Sequence, residues 1–154
     1  MADLDVRHAW NTLGGKSADE AFRIFIQNPF GHIDDFRWIA PEAFIFYFPV
    51  VVRYVTSADS KGDSDTVSSL AGSLESQLEQ GRHAFMPIIG AIAALCRHVI
   101  SHYPEYDLDY DIYGDVKSRY EQIGKVVEPD GPANGSQPIR SDTNTTSSAA
   151  GSRR

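Results

Sequence analysis

A chain of 154 residues, 42% hydrophobic and 23% charged, has the size and balance of a single globular domain. Its formal net charge of −7 disfavours non-specific nucleic-acid binding, which needs Lys and Arg to neutralise phosphates, and docking on an anionic membrane surface. The one cysteine, Cys96, excludes an intrachain disulfide and a cysteine-based zinc site, and its neighbours Ala93, Ala94 and Leu95 mark it as a small buried thiol.

At the start, Met1-Ala-Asp-Leu-Asp-Val-Arg-His carries acids where a secretory leader would carry positive charge and then an apolar run, so a cytoplasmic location is expected. Leu4, Val6 and Trp10 predict a short first helix that stops at Gly14-Gly15. Ser17-Ala-Asp-Glu20 is a capping box, in which two side chains satisfy each other's free backbone N–H groups. It opens an amphipathic helix through Ala21, Phe22, Phe25 and Ile26, ending near Asn28-Pro29. Pro29 and Gly31 then mark a loop-like stretch through Asp34, Asp35 and Phe36.

The segment 36–55 holds seven aromatic residues: Phe36, Trp38, Phe44, Phe46, Tyr47, Phe48 and Tyr54. Rings of this kind remove ~150–250 Å² each from water, which makes the segment the expected centre of the fold. Pro41 suits a first helical turn, and Phe44, Phe48, Val51, Val52 and Val55 share one helical stripe. The alternation of Phe44, Phe46 and Phe48 also fits a strand, but Pro49 would remove a ladder hydrogen bond. A helix bent at Pro49 is the preferred reading.

Further on, Val67, Leu70, Ala71, Leu74 and Leu78 keep helical spacing between Asp63 or Asp65 and Gly81. Phe85, Ile88, Ile89, Ile92, Cys96 and Val99 predict the most apolar helix, with Pro87 in its first turn and an end near Tyr103-Pro104. Val116, Tyr120 and Ile123 predict a last helix from Gly114 to about Val127. The uncharged runs 43–52 and 84–96 are shorter than the ~20 residues a membrane span needs and contain prolines, so no span is expected. Residues 1–127 therefore read as an all-α, compact, bundle-like domain of five or six helices. Residues 128–154 are rich in Pro, Gly, Ser and Thr, with Ile139 their only large aliphatic, and read as a disordered tail. The charges of that tail balance, so the whole −7 belongs to the domain.

Three constellations could carry function. His98 and His102, spaced i, i+4, could meet one metal ion, and with Glu105 and Asp107 they suggest a small metal-dependent hydrolase as the alternative reading. The pair lacks a third ligand at a recognised spacing, so no metal or other cofactor is expected. The run 105–115 holds five acids and no base, interleaved with Tyr106, Tyr110 and Tyr113. Asp107, Asp109 and Asp111 imitate the start of a calcium loop, but Ile112 stands where glycine is needed and Ser118 where glutamate is needed. Asp34-Asp35 beside Trp38 could pair two carboxylates, although adjacent residues on a regular element point apart. Gly14-Gly15-Lys16-Ser17 ends like a phosphate-binding loop but lacks its upstream glycine and its strand. No hydrolase nucleophile elbow, dinucleotide fingerprint or zinc-protease motif occurs.

The order of Asp35-Phe-Arg-Trp-Ile-Ala-Pro-Glu-Ala-Phe44, Tyr47-Phe-Pro49, Arg53-Tyr54 and Ile112-Tyr-Gly-Asp-Val-Lys-Ser-Arg-Tyr120 behind a capping-box helix resembles an uncharacterised family of small stand-alone helical bacterial proteins. The likeness spans residues 8–125 and rests on aromatic and proline placement. It implies a compact helical intracellular protein and transfers no functional residue, because that family has no assigned activity. The expected function is therefore non-enzymatic binding of a protein partner, a basic one on grounds of charge, as immunity proteins and antitoxins bind their toxins. The residues expected to carry it are Tyr106, Asp107, Asp109, Tyr110, Asp111 and Tyr113, followed by Asp34, Asp35 and Trp38. The chain is expected to be a monomer, or a homodimer through the aromatic segment.

Overall fold

Local capping chemistry sets where most of the helices begin. A computed structural model describes residues 14–128 together with Asn11. The predicted helix at Leu4–Trp10 and the predicted tail from Pro129 onward lie outside the described residues. Among the described residues there are seven α-helices and no strand: α1 (Ala18–Phe25), α2 (Pro29–Trp38), α3 (Pro41–Val55), α4 (Ser64–Glu79), α5 (Ile89–Ser101), α6 (Tyr110–Tyr113) and α7 (Val116–Val127). Three 3₁₀ segments, Ala58–Ser60, Arg82–Ile88 and Tyr103–Tyr106, join them.

The capping box forms as predicted, with Ser17 N–H donating to Glu20 at 2.8 Å and Glu20 N–H donating to Ser17 Oγ at 3.3 Å. The loop expected through Asp34-Asp35-Phe36 is instead helix α2. Pro29, read as a breaker, occupies the first helical turn, where its missing N–H costs nothing, and Asn28 Oδ1 accepts the Gly31 N–H at 3.1 Å. The strand alternative for the aromatic segment is overturned. Helix α3 runs through Pro49, which faces solvent. Five of the seven rings are buried, while Trp38 and Phe46 stay 43% and 55% exposed.

Helices α1 and α3 pack together, α2 lies on α4, and α7 lies across α5 and α4. The core is a run of rings in edge contact: Phe25 on Phe36 at 5.8 Å, Phe36 on Phe44 at 6.4 Å and Phe44 on Phe85 at 5.7 Å. Buried polar side chains of α4 tie its neighbour down. Ser73 Oγ donates to the Ile33 carbonyl at 2.9 Å, and the Gln77 amide donates to the Phe36 and Ile39 carbonyls at 2.8 and 3.0 Å. Gln77 thus satisfies the last carbonyls of α2, which a helix end leaves without intrahelical partners.

Pro87 lies not in the first turn of α5 but in the 3₁₀ segment before it. That junction keeps Arg82–Ser101 continuously helical over 20 residues at mean hydropathy 1.7. By length and composition alone this stretch is long and apolar enough to cross a membrane, a test that a core helix of a bundle also passes. About a third of its most apolar window, 33%, is buried in the bundle.

Candidate functional site

The acid run 105–115 folds as a tight sequence of caps rather than a strand. Asp107 takes a left-handed conformation (φ 58°) and ends the 3₁₀ turn Tyr103–Tyr106. Asp109 caps the single turn α6 by accepting the Asp111 N–H at 2.8 Å. Asp115 caps α7, accepting the Ser118 N–H at 3.0 Å, and that bond holds its carboxyl below the usual range. One of the acids expected to face a partner, Asp109, therefore works as a helix cap, as does Asp115. Asp107 and Asp111 are exposed and make no side-chain hydrogen bond within the described residues.

The tyrosines of the run divide. Tyr106 is buried and donates to the Val55 carbonyl at 3.1 Å, and burial raises its pKa. It is core, which withdraws it from the expected binding surface. Tyr113 is half-buried; its hydroxyl donates to Asp65 at 2.7 Å and accepts from Ser64 at 3.1 Å. Only Tyr110 stands clear, 70% exposed, beside Ile112 at 72%.

Those long-range bonds bring a second acidic segment to the same place. Gly62, in a left-handed conformation (φ 75°), donates its N–H to the Glu105 carbonyl at 2.8 Å, and Lys61 meets the Glu105 carboxylate at 3.5 Å. Asp63 caps α4 and accepts the Tyr54 hydroxyl at 2.6 Å. Segments 59–65 and 105–115 thus share one end of the bundle, with eight acids against the single base Lys61. Sequence reading missed the first segment. Its acids alternate with Ser, Lys and Gly and look like ordinary helix-start chemistry, which the Thr66 N–H donated to Asp63 at 3.2 Å shows one of them also is.

The second constellation comes apart. Asp34 points outward and reaches Arg37 at only 4.0 Å. Asp35 is buried against His32 Nδ1 at 3.3 Å. The two carboxylates are not a pair, and Trp38 flanks Asp34 on the outer face of α2.

His98 and His102 stack ring on ring, centroids 4.1 Å apart. His102 Nδ1–H donates to the His98 carbonyl at 2.9 Å, so that nitrogen is not a metal ligand in this arrangement. Burial, then the neighbouring His102, lowers the His98 pKa. Glu105 faces Lys61 instead of closing a ligand set, and among the described residues no group of three His, Cys, Asp or Glu could hold a metal ion. Burial pushes the Cys96 thiol up to about 12, which leaves little thiolate for chemistry.

One further cluster had no sequence signal. Arg119 forms a two-pronged pair with Glu75 at 3.0 and 2.6 Å, and Arg37 reaches over Gly72 to the same stretch of α4. No protein-family model, curated protein or solved structure matches this chain. The resemblance drawn from aromatic and proline placement therefore adds nothing to the geometry.

Proposed function

We propose that this chain is a non-enzymatic protein-binding domain whose acidic end engages a basic surface of its partner. One observation carries the reading: residues 59–65 and 105–115 are bonded into one acid-rich end, from which Tyr110 and Ile112 project 70% and 72% exposed. Concentrated like charge draws an oppositely charged partner in, while a protruding tyrosine and isoleucine supply the area that desolvated contacts need. A basic toxin neutralised by a small acidic immunity- or antitoxin-like protein fits this chemistry. Asp107, Asp111, Tyr110 and Ile112 are the residues placed to make contact; Asp109 and Asp115 hold the backbone that presents them.

The test is a double reversal, Asp107→Lys with Asp111→Lys, which leaves the side-chain caps Asp63, Asp109 and Asp115 in place. Quantitative pull-down from the native host should recover partners with the natural protein and with a Glu42→Lys control, and lose them with the double variant. Equal recovery by the folded double variant rejects the acidic end as the binding site.

A further inference from the structure

Helix α3 buries most of its rings and still turns an apolar stripe toward solvent. Glu42, Phe46, Pro49 and Arg53 are all exposed, Phe46 by 55%. They follow one another at i, i+4, i+7 and i+11, which sets them in a line along about three helical turns. Ala43, Ile45 and Val52 flank that line, partly buried against the core. A solvated helix face ordinarily carries polar side chains throughout, whereas here only the two ends of the line are charged.

Those ends carry opposite signs. Glu42 makes no ion pair among the described residues. Arg53 lies over the Phe22 ring, 3.8 Å from its centroid, and meets Asp19 at 3.6 Å. That carboxylate is 84% exposed, so the pair contributes little, and a stacked guanidinium keeps its N–H donors in plane for a second carboxylate. The order acid, ring, proline, base complements itself when reversed. A two-fold axis crossing α3 between Phe46 and Pro49 sets Glu42 against the partner's Arg53 at both ends, and Phe46 against the partner's Pro49. Parallel contact would oppose acid to acid and base to base. The Tyr106 and Ser60 hydroxyls, donating to the Val55 carbonyl at 3.1 and 2.8 Å, place the acid-rich end at the C-terminal end of α3. Antiparallel contact therefore sends two such ends to opposite poles, where chains of net charge −7 repel each other less.

We propose that this face of α3 joins two copies of the chain, antiparallel, with Phe46 and Pro49 at the centre and Glu42–Arg53 pairs at both ends. A two-fold contact uses the same patch on both subunits and must be self-complementary, as this line is. An aromatic centre inside a charged rim is the ordinary anatomy of a protein interface. One helical stripe is a small contact, which puts the dimer at the weak end of specific association. The contact is independent of the acidic end, since it uses none of its residues.

Sedimentation velocity of the full-length chain reads the association, with circular dichroism to show that each variant is folded. The natural protein should sediment increasingly as a dimer as its concentration rises toward about 0.5 mM, as a weak interface requires. Glu42→Arg and Arg53→Glu should each weaken the dimer by about tenfold or more. The double variant carrying both should associate as the natural chain does, because the swap restores opposite charges only in this register. Phe46→Ser should leave a monomer, and with Glu42→Arg it serves if loss of the Phe22 stack unfolds Arg53→Glu. Glu42→Lys leaves the acidic end intact, so it should dimerise as poorly as Glu42→Arg and still recover the partner; the two proposals thus fail separately. A natural chain that stays monomeric at about 0.5 mM overturns the proposal. So does a folded single variant that associates like the natural chain, or a folded double swap no better than either single.

Discussion

Gln77 shows how one side chain can hold two helices in register. Its amide donates to carbonyls of Phe36 and Ile39 from 38 and more residues away. Removing a buried donor strands each acceptor at about 1–3 kcal/mol. Gln77→Leu, which keeps the volume and deletes the amide, should lower stability by about 2 kcal/mol or more, read as a fall in the urea midpoint at unchanged slope. A fall of a few tenths would mean that water replaces the amide at the end of α2. Nothing in the local sequence marks Gln77: a glutamine in a polar-looking stretch of Ser64–Glu79 reads as solvent-facing. Its burial follows from α2 lying against that face, and α2 itself was hidden behind Pro29 and Gly31.

At the scale of elements, helix α5 and the turn after it carry a pH response. The His98 pKa is lowered from its ordinary 6.5, first by burial and then by His102. The unfolded chain therefore takes up this proton at a higher pH than the folded one does. The contribution of His98 to stability is complete above about pH 6.5 and is lost as pH falls from there toward the folded pKa. His98→Gln should flatten the loss of stability between about pH 7 and 5, checked by chemical unfolding across that range. An unchanged slope would assign the response to other groups. The helices themselves were largely legible. Their periodicity is local, and Ser17 and Asp63 announce two starts through the same side-chain oxygens that accept the bonds in the structure. Two elements were not. A proline at a helix start looks like one after a helix end, and a one-turn helix such as α6 is too short to show a period.

For the whole molecule, the buried phenols set an alkaline limit. Burial raises the pKa of Tyr54, Tyr106 and Tyr120 above the ordinary 10.0, with Tyr54 raised further by Asp63. The unfolded chain loses these protons near pH 10, while the folded chain keeps them. Stability is therefore full below that pH and declines above it, so phenolate absorbance from these three rings should rise together with the loss of helical circular dichroism. Titration of all seven tyrosines well before unfolding would refute the burial pattern. The same tertiary bonds that bury Tyr106 decide which acids can meet a partner. Sequence alone determined that the chain is helical, where most helices begin and that the aromatic segment forms the centre, because period, caps and apolar content act over a few residues. Only the tertiary structure decided that segment 59–65 joins 105–115, that Tyr106 turns inward while Tyr110 turns outward, and that Arg37 meets Arg119 over Gly72. These contacts join residues tens of positions apart, and each is set by how helices pack rather than by what any one of them contains.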